Sequence, residues 1–218
     1  MLNAERRSSA FGVLTLFAVP PRFGLMGGMN ETGAMAGCGG RPPWIRVKVG
    51  QNGLFQATKD RLRAHGLHTV CEEAFCPNLG RCWACGRATV LILGDRCTRG
   101  CRFCNVDKRP VLPPDPEEPG RVAAAVKETG LKEVVVTSVT RDDLPDGGAV
   151  LWAETVAAIR AAAPGTLIEV LVPDFGGVAD DIATVIRARP DVFGHNLETV
   201  PRLYPQARPQ ADYARSLA

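Results

Sequence analysis

The 218-residue chain has no apolar run approaching the roughly 18 residues needed to span a membrane. It also has little net charge. Lys and Arg total 26 against 23 Asp and Glu, leaving +3, too weak a bias to argue for nucleic-acid binding. Eight cysteines in 218 residues fall far short of a small disulfide scaffold. Residues 24–40, "GLMGGMNETGAMAGCGG", hold little that packs a core, and Cys38 within them reads as an incidental thiol. The run "AFGVLTLFAV" follows Arg6 and Arg7 as a signal peptide would. It is short, is interrupted by Gly12 and Thr15, and is followed by Pro20, Pro21 and Arg22. A disordered or wrongly started N-terminus is the expectation there. The whole-chain composition, 45% hydrophobic and 22% charged, is that of a globular protein with one core, or one domain plus an extension.

What the chain does have is cysteine in two tight groups. Seven of the eight lie between positions 71 and 104. A disulfide framework does not distribute itself so, and close thiols in a reducing compartment read as metal ligands. That points to the cytoplasm. "CEEAFCPNLGRCWAC" carries Cys71, Cys76, Cys82 and Cys85, and "GDRCTRGCRFCNV" carries Cys97, Cys101 and Cys104. Two readings of these residues stand side by side. Cys82-x2-Cys85 and Cys101-x2-Cys104, fifteen residues apart, match a four-cysteine zinc site. That reading leaves Cys71, Cys76 and Cys97 unused and ties both ends of an apolar strand to one ion. The other reading takes two triplets, Cys71-x4-Cys76-x5-Cys82 and Cys97-x3-Cys101-x2-Cys104, each able to hold three corners of a four-iron cluster. Arg96, Arg99, Arg102 and Lys108 around the second triplet would favour thiolates, or else form a solvated loop. Gly100 would let backbone N–H groups approach sulfur. Cys85 reads as a small apolar filler.

The rest of the sequence supplies the frame. A short helix is predicted over Gln56 to His65, and residues 70–87 read as irregular. From Ala88 onward apolar strands alternate with helices. "ATVLILG", "KEVVVTSV", "TLIEVLVP" and "DVFGHNLE" read as strands, and "PDPEEPGRVAAAVKETG", "AVLWAETVAAIRAA" and "VADDIATVIRAR" as helices. Continuous apolar strands in β-α alternation argue for a parallel sheet covered by helices. Chemistry in such folds gathers at the C-terminal ends of strands. Those ends carry the second cysteine group, Ser138, Arg141, Asp142, Asp143, Asp174, Asn196 and Glu198, with Glu169 inside the third strand.

CxxxCxxC at the end of a first barrel strand resembles the radical S-adenosylmethionine superfamily. "PPWIRVK", "GLHTVCEEAFCPNLGRCW", "LGDRCTRGCRFCNV", "TSVTRDDLPDGGA", "PDFGG" and "NLETVPRLYPQARPQADYARSL" narrow the resemblance to the lipoyl synthase family over residues 42–218. The resemblance implies an α/β fold, a partial (β/α) TIM-type barrel of about four β/α units with a cysteine-rich N-terminal extension. It divides the chain into an extension over 1–40, an auxiliary-cluster segment over 41–87 and a partial barrel over 88–218. It implies two [4Fe-4S] clusters and S-adenosyl-L-methionine. Cys97, Cys101 and Cys104 would be the catalytic ligands of the cluster that generates a 5′-deoxyadenosyl radical. Cys71, Cys76 and Cys82 would hold an auxiliary cluster that donates sulfur. Ser138, Arg141, Glu169 and Asn196 would bind the cofactor's amino-acid and ribose parts, or support residues that do. The reaction implied is insertion of two sulfur atoms into an octanoyl chain on a carrier-protein lysine. Saturated C–H bonds offer no acidity to exploit, so a cofactor radical must act. The partners implied are an octanoylated lipoyl carrier (glycine cleavage H protein or 2-oxoacid dehydrogenase E2) and an electron donor such as ferredoxin or flavodoxin, with neither nucleic acid nor membrane. The alternative is a truncated, non-catalytic iron–sulfur or zinc-binding module.

Three departures from the family pattern stand out. "CWACGRAT" replaces the usual CWxxGTAT, so that Arg87 stands for a threonine and Cys85 is not a family ligand. The family also continues to an Arg-Ser-Ser-Tyr motif whose serine completes the auxiliary cluster, whereas this sequence stops at "ARSLA". A truncated chain without full sulfur-insertion activity is the expectation. Four strands cannot close an eight-stranded barrel, so the fourth would be left as an apolar edge.

Overall fold

The computed structural model describes residues 53–218 except Phe75. The expected N-terminal extension, with Cys38 and the segment before Gly53, lies outside these residues.

Four strands pair in parallel and in sequence order: β2 (Arg87–Ile92), β3 (Glu133–Ser138), β4 (Leu167–Val172) and β5 (Val192–His195). A two-residue strand absent from the sequence reading, β1 (His68–Thr69), adds antiparallel to β2 at the other edge. Val90, Val136 and Val170 stand in register and are fully buried, as are Val134 and Ile168. Side chains alternate across a strand, so these valines and isoleucines form one covered face. The opposite face carries Leu91, Thr137, Leu171 and Gly194 in one row.

The covered face lies under α4 (Glu118–Thr129) and α5 (Ala149–Ala162), which pack on each other. Val122, Ala125 and Val126 of α4 meet a core shared with Trp152, Val156 and Ile159 of α5, each essentially without solvent exposure. Asp146 starts α5, accepting from the Gly148 and Val150 amides at 2.9 and 3.0 Å. Next, α6 (Ala179–Arg187) packs beside α5. The far edge of the sheet is β5, paired with β4, with Val192 51% and Phe193 39% exposed. This is the open apolar edge expected for the fourth parallel strand.

Residues 70–87 are more ordered than their composition suggests. After α1 (Gly53–Ala64) come two short helices, α2 (Val70–Glu73) and α3 (Leu79–Ala84). Thr69 caps α2 by accepting the Glu72 amide. Trp83 anchors α3, fully buried with its ring 5.5 Å from that of Phe55. Helices this short carry no clear apolar period, which is why sequence alone reads them as loop. Among the described residues no helix is long and apolar enough to cross a membrane.

Candidate functional site

All four parallel strands end on one side, and the chain leaves β2 there through an unusual turn. Leu93 is buried with φ +65°, a conformation costly for a residue with a Cβ. Its neighbours over-determine it. The Leu93 amide donates to Glu118 Oε2 at 2.7 Å, and its carbonyl accepts from Arg141 Nη1 at 3.2 Å. Gly148 lies against its side chain. Glu118 is 6% exposed, and burial pushes its carboxyl above the ordinary glutamate range, against the pull of the Leu93 and Gly94 amides. The folded state therefore keeps this proton to higher pH than the unfolded chain does. Stability falls as pH rises from the ordinary range through the raised value. Glu118→Gln, whose amide oxygen still accepts from Leu93, is expected to abolish that component. Urea unfolding at stepped pH checks it: stability should shift in favour of the variant as pH rises through the interval.

Beyond Leu93 the second cysteine group forms one loop laced to its surroundings. The Cys97 amide donates to Asp107 O at 2.9 Å, and the Thr98 amide and hydroxyl both donate to Thr140 O. Cys97 Sγ accepts from the amides of Arg99 (3.4 Å) and Thr140 (3.3 Å). Further down the chain, α7 (Tyr204–Ala207) and its continuation reach over the loop. Ala207 O accepts the Arg102 amide at 2.9 Å, and Gln210 Oε1 accepts the Gly100 amide at 3.2 Å. The Gly100 N–H is thus engaged by Gln210, and the backbone amides that reach Cys97 Sγ belong to Arg99 and Thr140.

Arg99 also departs from expectation. Far from lying on a solvated loop, it is 4% exposed and clamped between two carboxylates. Nε and Nη2 meet Asp142 at 2.8 and 2.7 Å; Nη1 and Nη2 meet Asp174 at 2.9 and 2.7 Å. Burial opposes its charge, and the hydrogen bonds to Asp142 and Asp174 outweigh burial, so the guanidinium is held charged. Two neutralising carboxylates leave little net field for promoting thiolates. The clamp instead ties the cysteine loop to the loops after β3 and β4. No sequence signal pairs Arg99 with residues 43 and 75 positions away.

The four polar residues expected to hold cofactor are placed differently from one another. Glu169 is mid-strand, in register with Val135 on the less covered face, its carboxyl pushed up by burial and by Glu133. Asn196 follows β5, exposed, its amide donating to Glu198 Oε1 at 3.2 Å. Arg141 is buried and bidentate to Asp143 at 2.8 Å, besides its bond to Leu93 O. Ser138 pairs with Ile92 at the end of β3, and its buried hydroxyl has no hydrogen-bond partner among the described residues.

Both cysteine groups have the donor chemistry of iron–sulfur sites. The seven described cysteines are free thiols. Burial pushes the Cys104 thiol up; the Val106 amide opposes, while Cys101 and Cys97 add to it. Burial likewise raises Cys82, followed by Cys71 and Cys76, with Arg87 opposing and Cys85 adding. Iron binds such thiols deprotonated, which would offset the burial that raises Cys82 and Cys104. Among the described residues no three His, Cys, Asp or Glu side chains form a group already placed to hold a metal ion. A four-iron cube spreads its thiolates more widely than one ion does. The residues fit that group, in soft donor type and in the N–H groups directed at Cys97 Sγ.

Residues 91–218 match the family model described as Radical SAM superfamily, and the chain belongs to that superfamily. Its similarity to particular members is high. It is 56% identical over 178 residues to the lipoyl synthase of Rubrobacter xylanophilus, covering 82% of this chain and 56% of that protein. To the lipoyl synthase of Chlorobaculum parvum it is 51% identical over 185 residues, 84% of this chain and 63% of that one. To that of Oleidesulfovibrio alaskensis it is 52% identical over 176 residues, 81% and 60%. The chain thus spans 56–63% of the length of these curated relatives.

Proposed function

We propose that this chain carries the radical-generating chemistry of a lipoyl synthase, the enzyme that inserts two sulfur atoms into an octanoyl chain carried on a protein lysine. The observation that carries the reading is the pairing of two thiol groups on one sheet. One group is fixed at the C-terminal end of β2 with amides aimed at Cys97 Sγ. The other is held by α2 and α3 beside the same strand. Cys97, Cys101 and Cys104 would hold a [4Fe-4S] cluster with one iron left for S-adenosylmethionine, and Cys71, Cys76 and Cys82 would hold the auxiliary, sulfur-donating cluster. When bound, the first cluster supplies the electron that cleaves S-adenosylmethionine to a 5′-deoxyadenosyl radical.

The protein's own residues position and enclose. The Arg99 clamp and the Leu93 turn fix where the three thiols stand. Glu169 and Asn196 offer acceptor and amide groups on the uncovered side of the sheet for the cofactor's ammonium and ribose hydroxyls. Ser138 and Arg141 support from behind, Arg141 by fixing Leu93. The carrier would be an octanoylated lipoyl domain or H protein, the reductant a ferredoxin or flavodoxin, and the compartment the reducing cytoplasm.

The test is anaerobic reconstitution followed by reduction with S-adenosylmethionine and an octanoylated carrier. The expected result is 5′-deoxyadenosine, formed several-fold faster with octanoylated than with unacylated carrier, and reduced at least 100-fold in Cys101→Ala. A reconstituted, iron-loaded protein that makes no 5′-deoxyadenosine overturns the reading. A colourless protein holding one zinc would favour the non-catalytic module instead.

A further inference from the structure

We infer that Arg102, Lys108 and Arg202, set around Phe103, form a docking surface for an acidic electron-donor protein. The inference rests on the reading above that Cys97, Cys101 and Cys104 hold a cluster that takes up an electron, and it adds where the reductant sits.

The thiol loop closes a tight turn in which the Cys104 amide donates to Cys101 O at 3.2 Å. Arg102 and Phe103 are the central residues of that turn, and both are exposed, Phe103 by 43%. Their backbone is held, because the Arg102 amide donates to Ala207 O at 2.9 Å. That bond brings up the segment carrying Arg202, an exposed residue two positions before α7. Lys108 follows the turn, exposed, with its ammonium donating to Cys104 O at 3.4 Å. Charge sets these three cations apart from the arginines beside them. Arg96 has Asp95, Arg99 has Asp142 and Asp174, Arg109 has Asp107, Arg141 has Asp143 and Arg215 has Asp174. Among the described residues no carboxylate pairs with Arg102, Lys108 or Arg202.

An exposed aromatic ring among uncompensated cations is the composition of an interface with an acidic partner. The position selects a donor of electrons. Electron transfer weakens steeply with distance, and this turn is surface whose backbone directly joins two of the thiols. A carrier has a different task, since its acyl chain must reach the uncovered face of the sheet. The patch is led by charge around one apolar side chain, which suits the brief, small-area encounters of redox partners. In each encounter one electron leaves the donor and enters the cluster. Steering by such a patch speeds encounter and is lost as salt screens it.

The experiment uses the full chain, reconstituted anaerobically with its iron counted first, and an acidic flavodoxin as the probe. Isothermal titration gives the affinity, and stopped-flow mixing with reduced flavodoxin gives the rate of cluster reduction. Both are expected to fall on the order of tenfold between about 20 and 200 mM salt. The triple variant Arg102→Glu, Lys108→Glu, Arg202→Glu should weaken binding and slow reduction about tenfold or more at low salt, and should lose the salt dependence. Reduction by a neutral small molecule, photoreduced deazariboflavin, accounts for any change in the cluster's own potential, so the ratio of the two rates is the quantity read. A control triple, Arg61→Glu, Lys127→Glu, Lys132→Glu, lies in the last turns of α1 and α4 and just before β3. It should leave that ratio within about twofold. An unchanged ratio in the first triple, or an equal fall in the control, overturns the docking surface while leaving the cluster reading intact. Salt-dependent binding of an octanoylated carrier that flavodoxin does not share overturns it as well. A chain that takes up no iron overturns the cluster reading and the inference with it.

Discussion

Asp174→Ala is expected to cost about 3–5 kcal/mol of folding stability, the range for removing one partner of a buried ion pair. Asp174 is 5% exposed and accepts two hydrogen bonds from Arg99, with Arg215 a further 3.6 Å away and the Gly176 amide at 3.2 Å. Truncating it leaves the Arg99 guanidinium buried with only Asp142, which is itself partly exposed. Urea unfolding measures the loss directly. A control separates charge burial from packing: the double variant Arg99→Met, Asp174→Leu should recover more than half of it, because buried pairs replaced by apolar groups of similar volume are often tolerated. A double variant as unstable as the single one would show that the loop needs the ion pair for its shape. The pH dependence follows the same group. Burial would raise the Asp174 carboxyl, but hydrogen bonds and charge from Arg99 outweigh it and hold the group below the ordinary aspartate range. A carboxyl depressed in the folded state stabilises above its unfolded value, and the benefit is lost as pH falls through the depressed one. Asp174→Ala should flatten the acid side of the stability profile accordingly.

Gly148→Ala should cost about 2–5 kcal/mol, combining a left-handed backbone of about 1–2 kcal/mol with overpacking of about 1–3 kcal/mol. Gly148 has φ +88°, and a Cβ there would lie 2.6 Å from Leu93 Cδ1 and 3.0 Å from Cδ2. Leu93 is 2% exposed, so its side chain has nowhere to retreat without disturbing the core. Its backbone is held at φ +65° by Glu118 and Arg141, so the strain reaches the start of the cysteine loop. The measurement is a pair: a thermal melt for stability and iron uptake at the downstream cysteines. Lowered stability with unchanged iron uptake would mean that the loop tolerates displacement of Leu93.

Much of this arrangement was legible in the sequence because it depends on local pattern. Runs such as "KEVVVTSV" and "TLIEVLVP" are apolar over strand length, and the β3 and β4 spans fall inside them. The span "AVLWAETVAAIRAA" coincides with α5. The cysteine spacing marks both thiol groups. What was not legible depends on contacts between distant residues. Arg99 looked like one of several loop cations until Asp142 and Asp174 closed on it. Glu118 looked like one more residue of a helical run, yet it reaches back 25 residues to the Leu93 amide. Cys85 looked like filler but is exposed, because spacing carries no information about exposure. The short helices α2 and α3 escaped notice because one or two turns are held by Trp83 and Thr69 rather than by intrinsic propensity.

The interlock between the cysteine loop and the last stretch of described chain sets an order of events during synthesis. Gly100 and Gln210 are 110 positions apart, and Arg102 waits for Ala207 in the same way. At ribosomal speeds of about 5–20 residues per second, the loop emerges roughly 5–20 s before the segment that pins it. Through that interval three thiols stand on an unsecured loop, accessible to oxidants and stray metal alike. Delivery of iron and sulfide is then best timed to follow emergence of residues 207–210, whose contacts with Arg102 and Gly100 secure the loop.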